Sequence, residues 1–211
     1  IWEGDEPDQV ETITYKELHA LTCKMANVLK KHGVSKGDRV VLYLPPCILA
    51  AAAMHACNRI GAVHAVVFAG FSPQALASRI KDAGAEMVIT MDAFYRGGNK
   101  VPLKQLVQAA VDSPDGASIK NVLMTTRVGD GDYPTSPMDI DLDAELESAS
   151  AECAPVPVDS EHPLYLLYTS GSTGKPKGLM HTTAGYILYT MVAQKACWDV
   201  REGDVYGCVA D

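Results

Sequence analysis

Five short apolar runs, at 39–44, 62–68, 87–91, 119–125 and 164–168, recur along the chain with stretches of helical spacing between them. Val40-Val41-Leu42 and Val88-Ile89 carry no alternating polar residue, so strands built from them must be covered on both faces. A parallel sheet with helices on each side meets that condition, whereas an antiparallel sheet with one wet face does not. The predicted fold is therefore a layered α/β unit.

Local signals punctuate the pattern. Thr14-Tyr15-Lys16-Glu17 has the spacing of a capping box ahead of Leu18, Leu21, Met25, Val28 and Leu29, and Gly33 supplies the stop. A second helix is expected over 48–60 before Gly61. A third is opened by Ser72 as N-cap and Pro73 at the first helical position, running to Ala83 before Gly84. Helices are also expected over 102–111 and 182–196, and a surface loop over 127–138. The acidic run 139–147 reads as a solvated helix start. Ala154-Pro155-Val156-Pro157 reads as a stiff connector, and Val205 begins a further strand. With no internal repeat and a last strand lacking a crossover, the unit reads as incomplete at its C-terminal end.

Composition narrows the function classes. With 26 acidic against 18 basic residues and 7% aromatics, the chain has the wrong charge and too few stacking rings for a nucleic-acid backbone binder. The apolar run Cys47 to Cys57 is far shorter than the roughly 20 residues that span a bilayer, so no membrane association is expected. The six cysteines form no CxxC pair and no zinc spacing with the histidines, which suits reduced thiols in the cytoplasm. The first residue is Ile1 and no signal peptide is visible, as in a processed chain or a piece of a longer one.

The strongest chemical signal is Thr169-Ser170-Gly171-Ser172-Thr173-Gly174-Lys175-Pro176-Lys177-Gly178, directly behind an apolar strand. Glycines 171 and 174 let backbone amides curve around an anion. The hydroxyls of Thr169, Ser170, Ser172 and Thr173 can donate to phosphate oxygens, and Lys175 and Lys177 add charge, so a polyphosphate is the natural ligand. The common P-loop pattern fails because Pro176 follows Lys175, and the dinucleotide GxGxxG pattern is absent here too.

The segment Tyr168 to Gly178 closely resembles the phosphate-loop signature of the acyl-adenylate-forming enzymes. Gly61-Ala62-Val63-His64, Phe71-Ser72-Pro73, Met180-His181-Thr182 and Val209-Ala210-Asp211 resemble, in combination, the short-chain acyl-CoA synthetases of that superfamily. The resemblance implies a ligase that turns acetate, or propionate, with ATP into an acyl-adenylate and pyrophosphate, and then transfers the acyl group to the CoA thiol. It implies that Thr169, Ser170, Gly171, Ser172, Thr173, Gly174, Lys175 and Lys177 hold the β- and γ-phosphates of ATP, with Thr169 and Lys177 taking a catalytic share.

Tyr95-Arg96-Gly97-Gly98-Asn99-Lys100 resembles the CoA-binding turn of the same enzymes, which implies CoA contacts at Arg96, Gly97, Gly98 and Asn99. A guanidinium at Arg96 suits the 3′-phosphate. Asn99 stands where many relatives carry a second arginine. In Phe68-Ala69-Gly70-Phe71-Ser72, Ala69 takes the place of a family glycine, a change that requires a negative φ. His64 and His181 read as structural, since neither can be placed beside a nucleophile and an acidic orienter. Cys208 reads as a buried small residue.

The resemblance also implies that residues 1–211 are part of a large N-terminal domain. The C-terminal domain, the adenylation lysine and the Mg²⁺ ligand would then lie outside this chain. The alternative from another class is a noncatalytic nucleotide-binding or regulatory interaction module. An unpaired sheet edge in such a fragment would favour a homo-oligomer.

Overall fold

The computed structural model describes residues 1–4, 8–131, 133–169 and 176–207. Two short strands, β1 (Trp2–Glu3) and β2 (Val10–Glu11), pair antiparallel ahead of the first helix. Thr14 then opens α1 (Tyr15–Lys31): its hydroxyl accepts the Glu17 N–H, while the Glu17 carboxylate accepts the Thr14 N–H at 2.8 Å. Both halves of the capping box are thus made.

The next elements alternate as the apolar runs require: β3 (Arg39–Leu42), α2 (Ile48–Ile60), β4 (Val63–Val66), α3 (Pro73–Ala83) and β5 (Met87–Met91). Gly61 and Gly84 end α2 and α3 at φ of 72° and 61°, the left-handed conformation that closes a helix and that a Cβ disfavours. Ser72 caps α3 by accepting the Ala75 N–H. A hairpin, β6 (Phe94–Arg96) and β7 (Asn99–Val101), precedes α4 (Leu103–Val111) and β8 (Asn121–Thr125). The chain continues through β9 (Asp139–Asp141), α5 (Leu142–Ser148), β10 (Pro163–Thr169), β11 (Lys177–Thr182) and α6 (Thr183–Ala196).

The central sheet has the order β11-β10-β4-β3-β5-β8-β9, and every neighbouring pair is parallel except β10 with β11. The crossover through α2 moves from β3 to β4, and the one through α3 returns past β3 to β5. Right-handed connections therefore put α2 on one face and α3 with α4 on the other. The packing agrees: α1 lies on α2 and α5, and α3 lies on α4. Between these layers Val40, Val41, Leu42, Val88, Ile89 and Leu123 are essentially inaccessible to solvent, as two-sided coverage demands. The layered α/β expectation holds.

Three local expectations change. The acidic run 139–147 divides: Asp141 caps α5, the expected helix start, but Asp139–Asp141 is an edge strand, and Asp139 Oδ2 lies 3.1 Å from the Nζ of Lys104, an ammonium with no exposed surface that also donates to Gln108 Oε1. The polar loop expected over 169–178 is strand at both ends, since β10 runs through Thr169 and β11 begins at Lys177. Residues 205–207 form no strand, and the rest of that expected strand lies outside the described residues. The five described cysteines are free, Cys208 falling outside that set, and burial pushes the Cys57 thiol up to about 12. No described helix is long and apolar enough to cross a membrane. Among the described residues of α6 none is buried, and Leu188, Tyr189 and Met191 are more than half exposed.

Candidate functional site

The sheet order locates the site. The order of winding reverses between the parallel strands β3 and β4, one leading into a helix on the first face and the other into a helix on the second. At such a switch point the loops diverge and leave a crevice beyond the carboxyl ends of the strands. A cavity of about 420 Å³ opens there, with Leu44, Pro45 and Pro46 from the end of β3 on one side and Phe68 and Ala69 from the end of β4 on the other. Phe94 and Arg96 of β6 complete its wall.

Arg96 is presented by a tight turn. Gly97 and Gly98 have φ of 54° and 79°, and a two-residue connection with both φ positive is the hairpin turn whose twist matches the strands it joins. A Cβ on either would meet nothing within 4 Å, so conformation rather than space selects glycine at both. The Arg96 guanidinium lies 4.9 Å from the centre of the Phe68 ring. Asn99 turns back on the hairpin, its side-chain amide donating to the Gly97 carbonyl at 3.3 Å. Lys100 pairs with Asp130 at 2.5 Å.

The Phe68–Ser72 loop is pinned from below. Tyr43, fully buried just past β3, donates its hydroxyl proton to the Phe71 carbonyl at 2.7 Å and accepts the Gly70 N–H at 3.1 Å. Burial raises its pKa and the Gly70 N–H pulls the other way, leaving a net rise that keeps the phenol protonated. Gly70 has φ of 99°. Ala69 does not share this geometry: Asp199 is the one non-glycine with positive φ among the described residues, so the alanine sits in ordinary backbone. Asp92, 2% exposed just past β5, steadies the loop after β8 by accepting N–H groups from Arg127, Val128 and Gly129.

The hairpin β10–β11 carries Thr169 and Lys177, which flank the glycine-rich segment, toward the same edge of the sheet. Tyr165 pairs with His64 and Leu166 with Ala65 in parallel register, so the carboxyl end of β10 lies beside that of β4. Thr169 and Lys177 face each other as register partners at the hairpin's end, both exposed. Ser170, Gly171, Ser172, Thr173, Gly174 and Lys175 lie outside the described residues. The structure thus brings Thr169 and Lys177 together on one hairpin and puts Arg96, Gly97, Gly98 and Asn99 on another, of which Arg96 lines the cavity.

His64, 6% exposed, is pushed down to about 4 by burial and by nearby His55, and it is neutral at pH 7. It stacks on Tyr165, which stacks in turn on His181 with ring centres 4.5 Å apart. No cluster of three metal-binding side chains occurs among the described residues. The sequence reading missed Tyr43, Asp92 and the Pro45-Pro46 wall. The double proline is a visible signal, but it acquires meaning only once β3 and β4 are known to be neighbours.

The cavity offers an aromatic face at Phe68, apolar walls, and one planar cation of the kind that bonds a phosphate bidentately. The family model for "AMP-binding enzyme" matches residues 3–211. The chain is 52% identical over 211 residues to an acetyl-coenzyme A synthetase of Methylobacterium radiotolerans and 50% identical over 211 residues to one of Yersinia pestis. Each alignment covers 100% of this chain and 33% or 32% of the relative, so the chain spans about a third of the length of the curated relatives it matches. A crystal structure of Brucella canis acyl-CoA synthetase matches with a TM-score of 0.76 at 24% identity, covering 95% of this chain and 33% of that one.

Proposed function

Because this chain belongs to the AMP-binding enzyme family, we propose that the polypeptide carrying it is an AMP-forming ligase that joins acetate, with propionate as the competing substrate, to CoA. The 211 residues are then part of its large N-terminal domain, with the C-terminal domain and the Mg²⁺ ligand elsewhere in the polypeptide. The expected location is cytoplasmic. The single observation that carries this reading is the placement of two hairpins on one rim: Thr169 and Lys177 end β10–β11, and Arg96 with its Gly97-Gly98 turn ends β6–β7.

In the first step a carboxylate oxygen attacks the α-phosphorus of ATP, the bond to the bridging oxygen breaks, and pyrophosphate leaves. Charge grows on the departing phosphates. In this reading the Thr169 hydroxyl and Lys177 ammonium supply donors to those phosphates, a role the family resemblance extends to Ser170, Gly171, Ser172, Thr173, Gly174 and Lys175. In the second step the CoA sulfur attacks the acyl carbon, AMP leaves, and the thiol proton goes to solvent. Arg96 holds the 3′-phosphate of CoA through paired N–H donors, while Gly97, Gly98 and Asn99 keep the turn narrow beside it. One methylene separates acetate from propionate, about 1–3 kcal/mol of discrimination in an apolar pocket.

The test is carboxylate-dependent ATP–pyrophosphate exchange by the full-length polypeptide, with acetate and propionate run separately. Exchange with either acid, faster with acetate, is expected. Well-folded protein that exchanges with neither defeats the short-chain ligase reading.

A further inference from the structure

Side chains of α3 tie the strand entering the glycine-rich segment to the loop that walls the cavity. The Tyr168 hydroxyl, one residue before Thr169, donates to Asp82 Oδ2 at 2.8 Å. Its ring lies against Gly178 of β11. A Cβ at Gly178 would stand 3.1 Å from Cε1 and Cζ of that ring and 3.4 Å from Asp82 Oδ2. One turn earlier on α3, Arg79 is 8% exposed and donates from Nη1 to the Ala75 carbonyl at 2.7 Å. Its guanidinium carbon lies 5.5 Å from the centre of the Tyr168 ring and 4.9 Å from that of Phe71. One cation therefore faces an aromatic ring from each of the two rim segments.

We infer that Arg79 and Asp82 are positioning residues: Asp82 sets the base of the phosphate-binding hairpin through Tyr168, and Arg79 couples that base to the Phe68–Ser72 loop of the CoA cavity. The inference rests on the ligase reading above. Tyr168 and Gly178 are register partners on β10 and β11, so a hydroxyl anchored on α3 fixes both strands one residue from the Thr169–Lys177 pair. A desolvated guanidinium is planar and weakly hydrated, which lets it lie against ring faces in a way that an ammonium on a flexible stem does not reproduce. Neither Arg79 nor Asp82 touches reacting atoms in this scheme. Their effect passes through Tyr168 and Phe71.

The test uses the full-length polypeptide and separates two substrates. In ATP–pyrophosphate exchange, Y168F and D82A are expected to raise the KM for MgATP about tenfold, about 1.4 kcal/mol, with the KM for acetate within twofold of the parent. D82N keeps an acceptor for the hydroxyl and is expected to recover most of the D82A loss. R79K keeps the charge but not the planar stack. It is expected to raise the KM for MgATP in exchange and the KM for CoA in the complete reaction, while R79K and the parent unfold within a few degrees of each other. With an active parent, unchanged MgATP dependence in Y168F and D82A overturns the inference, as does an equal rise for acetate and MgATP accompanied by a lower melting temperature. A parent that exchanges with neither acid overturns the ligase reading itself, and the coupling falls with it.

Discussion

Replacing Tyr43 by Phe removes one oxygen and leaves the buried ring in place, so the packing of the core is retained. What is lost is a donor to the Phe71 carbonyl at 2.7 Å and an acceptor for the Gly70 N–H at 3.1 Å. A hydrogen bond left unmade costs about 1–3 kcal/mol when its partner is sealed from water. Phe71 is 38% exposed and Gly70 is exposed too, so water can approach both groups and the low end applies. Two bonds at about 1 kcal/mol each give about 2 kcal/mol. At about 2–4 °C per kcal/mol for a domain of this size, the melting temperature of Y43F should fall by about 4–8 °C. The local signature is faster amide hydrogen exchange at Gly70, because the loop loses its tether. Calorimetry and exchange mass spectrometry read the two effects independently. A melting temperature within about 1 °C of the parent, with Gly70 as protected as before, refutes the claim that Tyr43 holds the cavity loop.

Two further outcomes are expected. R96A should raise the CoA concentration needed for half-maximal acyl transfer by about 10- to 100-fold, the equivalent of losing hydrogen bonds to a charged group, and should leave ATP–pyrophosphate exchange within twofold. Unchanged CoA dependence rejects the role assigned to Arg96. For Asp92, burial pushes the carboxyl up, but N–H donors from Gly129, Arg127, Ala93 and Val128 outweigh it and the net shift is downward. A carboxyl whose folded value lies below its unfolded one, about 3.9, contributes its full stabilisation above that unfolded value and loses it as pH falls through the folded one. The urea midpoint of the parent should therefore drop more steeply than that of D92N below about pH 4, and parallel curves would contradict the assignment.

Much of the fold was legible because its signals are local. The ends of α2 and α3 fall where Gly61 and Gly84 stand, since the left-handed closing residue excludes nearly everything else. The two-sided burial of β3 and β5 follows from unbroken apolar runs. Asp139-Ile140-Asp141 reads as a charged helix start by composition. It becomes a strand because β8 offers an open edge and Lys104 a buried countercharge, both set by tertiary structure. Lys177 to Thr182 was masked by the glycine-rich motif it overlaps. At the candidate site, the Arg96 turn was readable from its paired glycines. The contact of Arg96 with Phe68, the anchoring of the loop by Tyr43, and the meeting of Arg79 with Phe71 and Tyr168 depend on strand order, and no property of those residues alone encodes it.

The seam between β10 and β4 is short. Tyr165 opposite His64 and Leu166 opposite Ala65 are its registered pairs, whereas β10 and β11 are joined from Pro163–Thr182 to Thr169–Lys177, and β5 and β8 pair along their full length. The hairpin is thus bonded more extensively to itself than to the sheet it extends. In a protein whose parts open with different free energies, this places β10–β11 below β3, β4, β5 and β8 on that scale. Parting the hairpin from β4 breaks the few bonds of that seam together with the Tyr168–Asp82 tie to α3, so the adaptability of the rim and the stability of the core rest on different contacts.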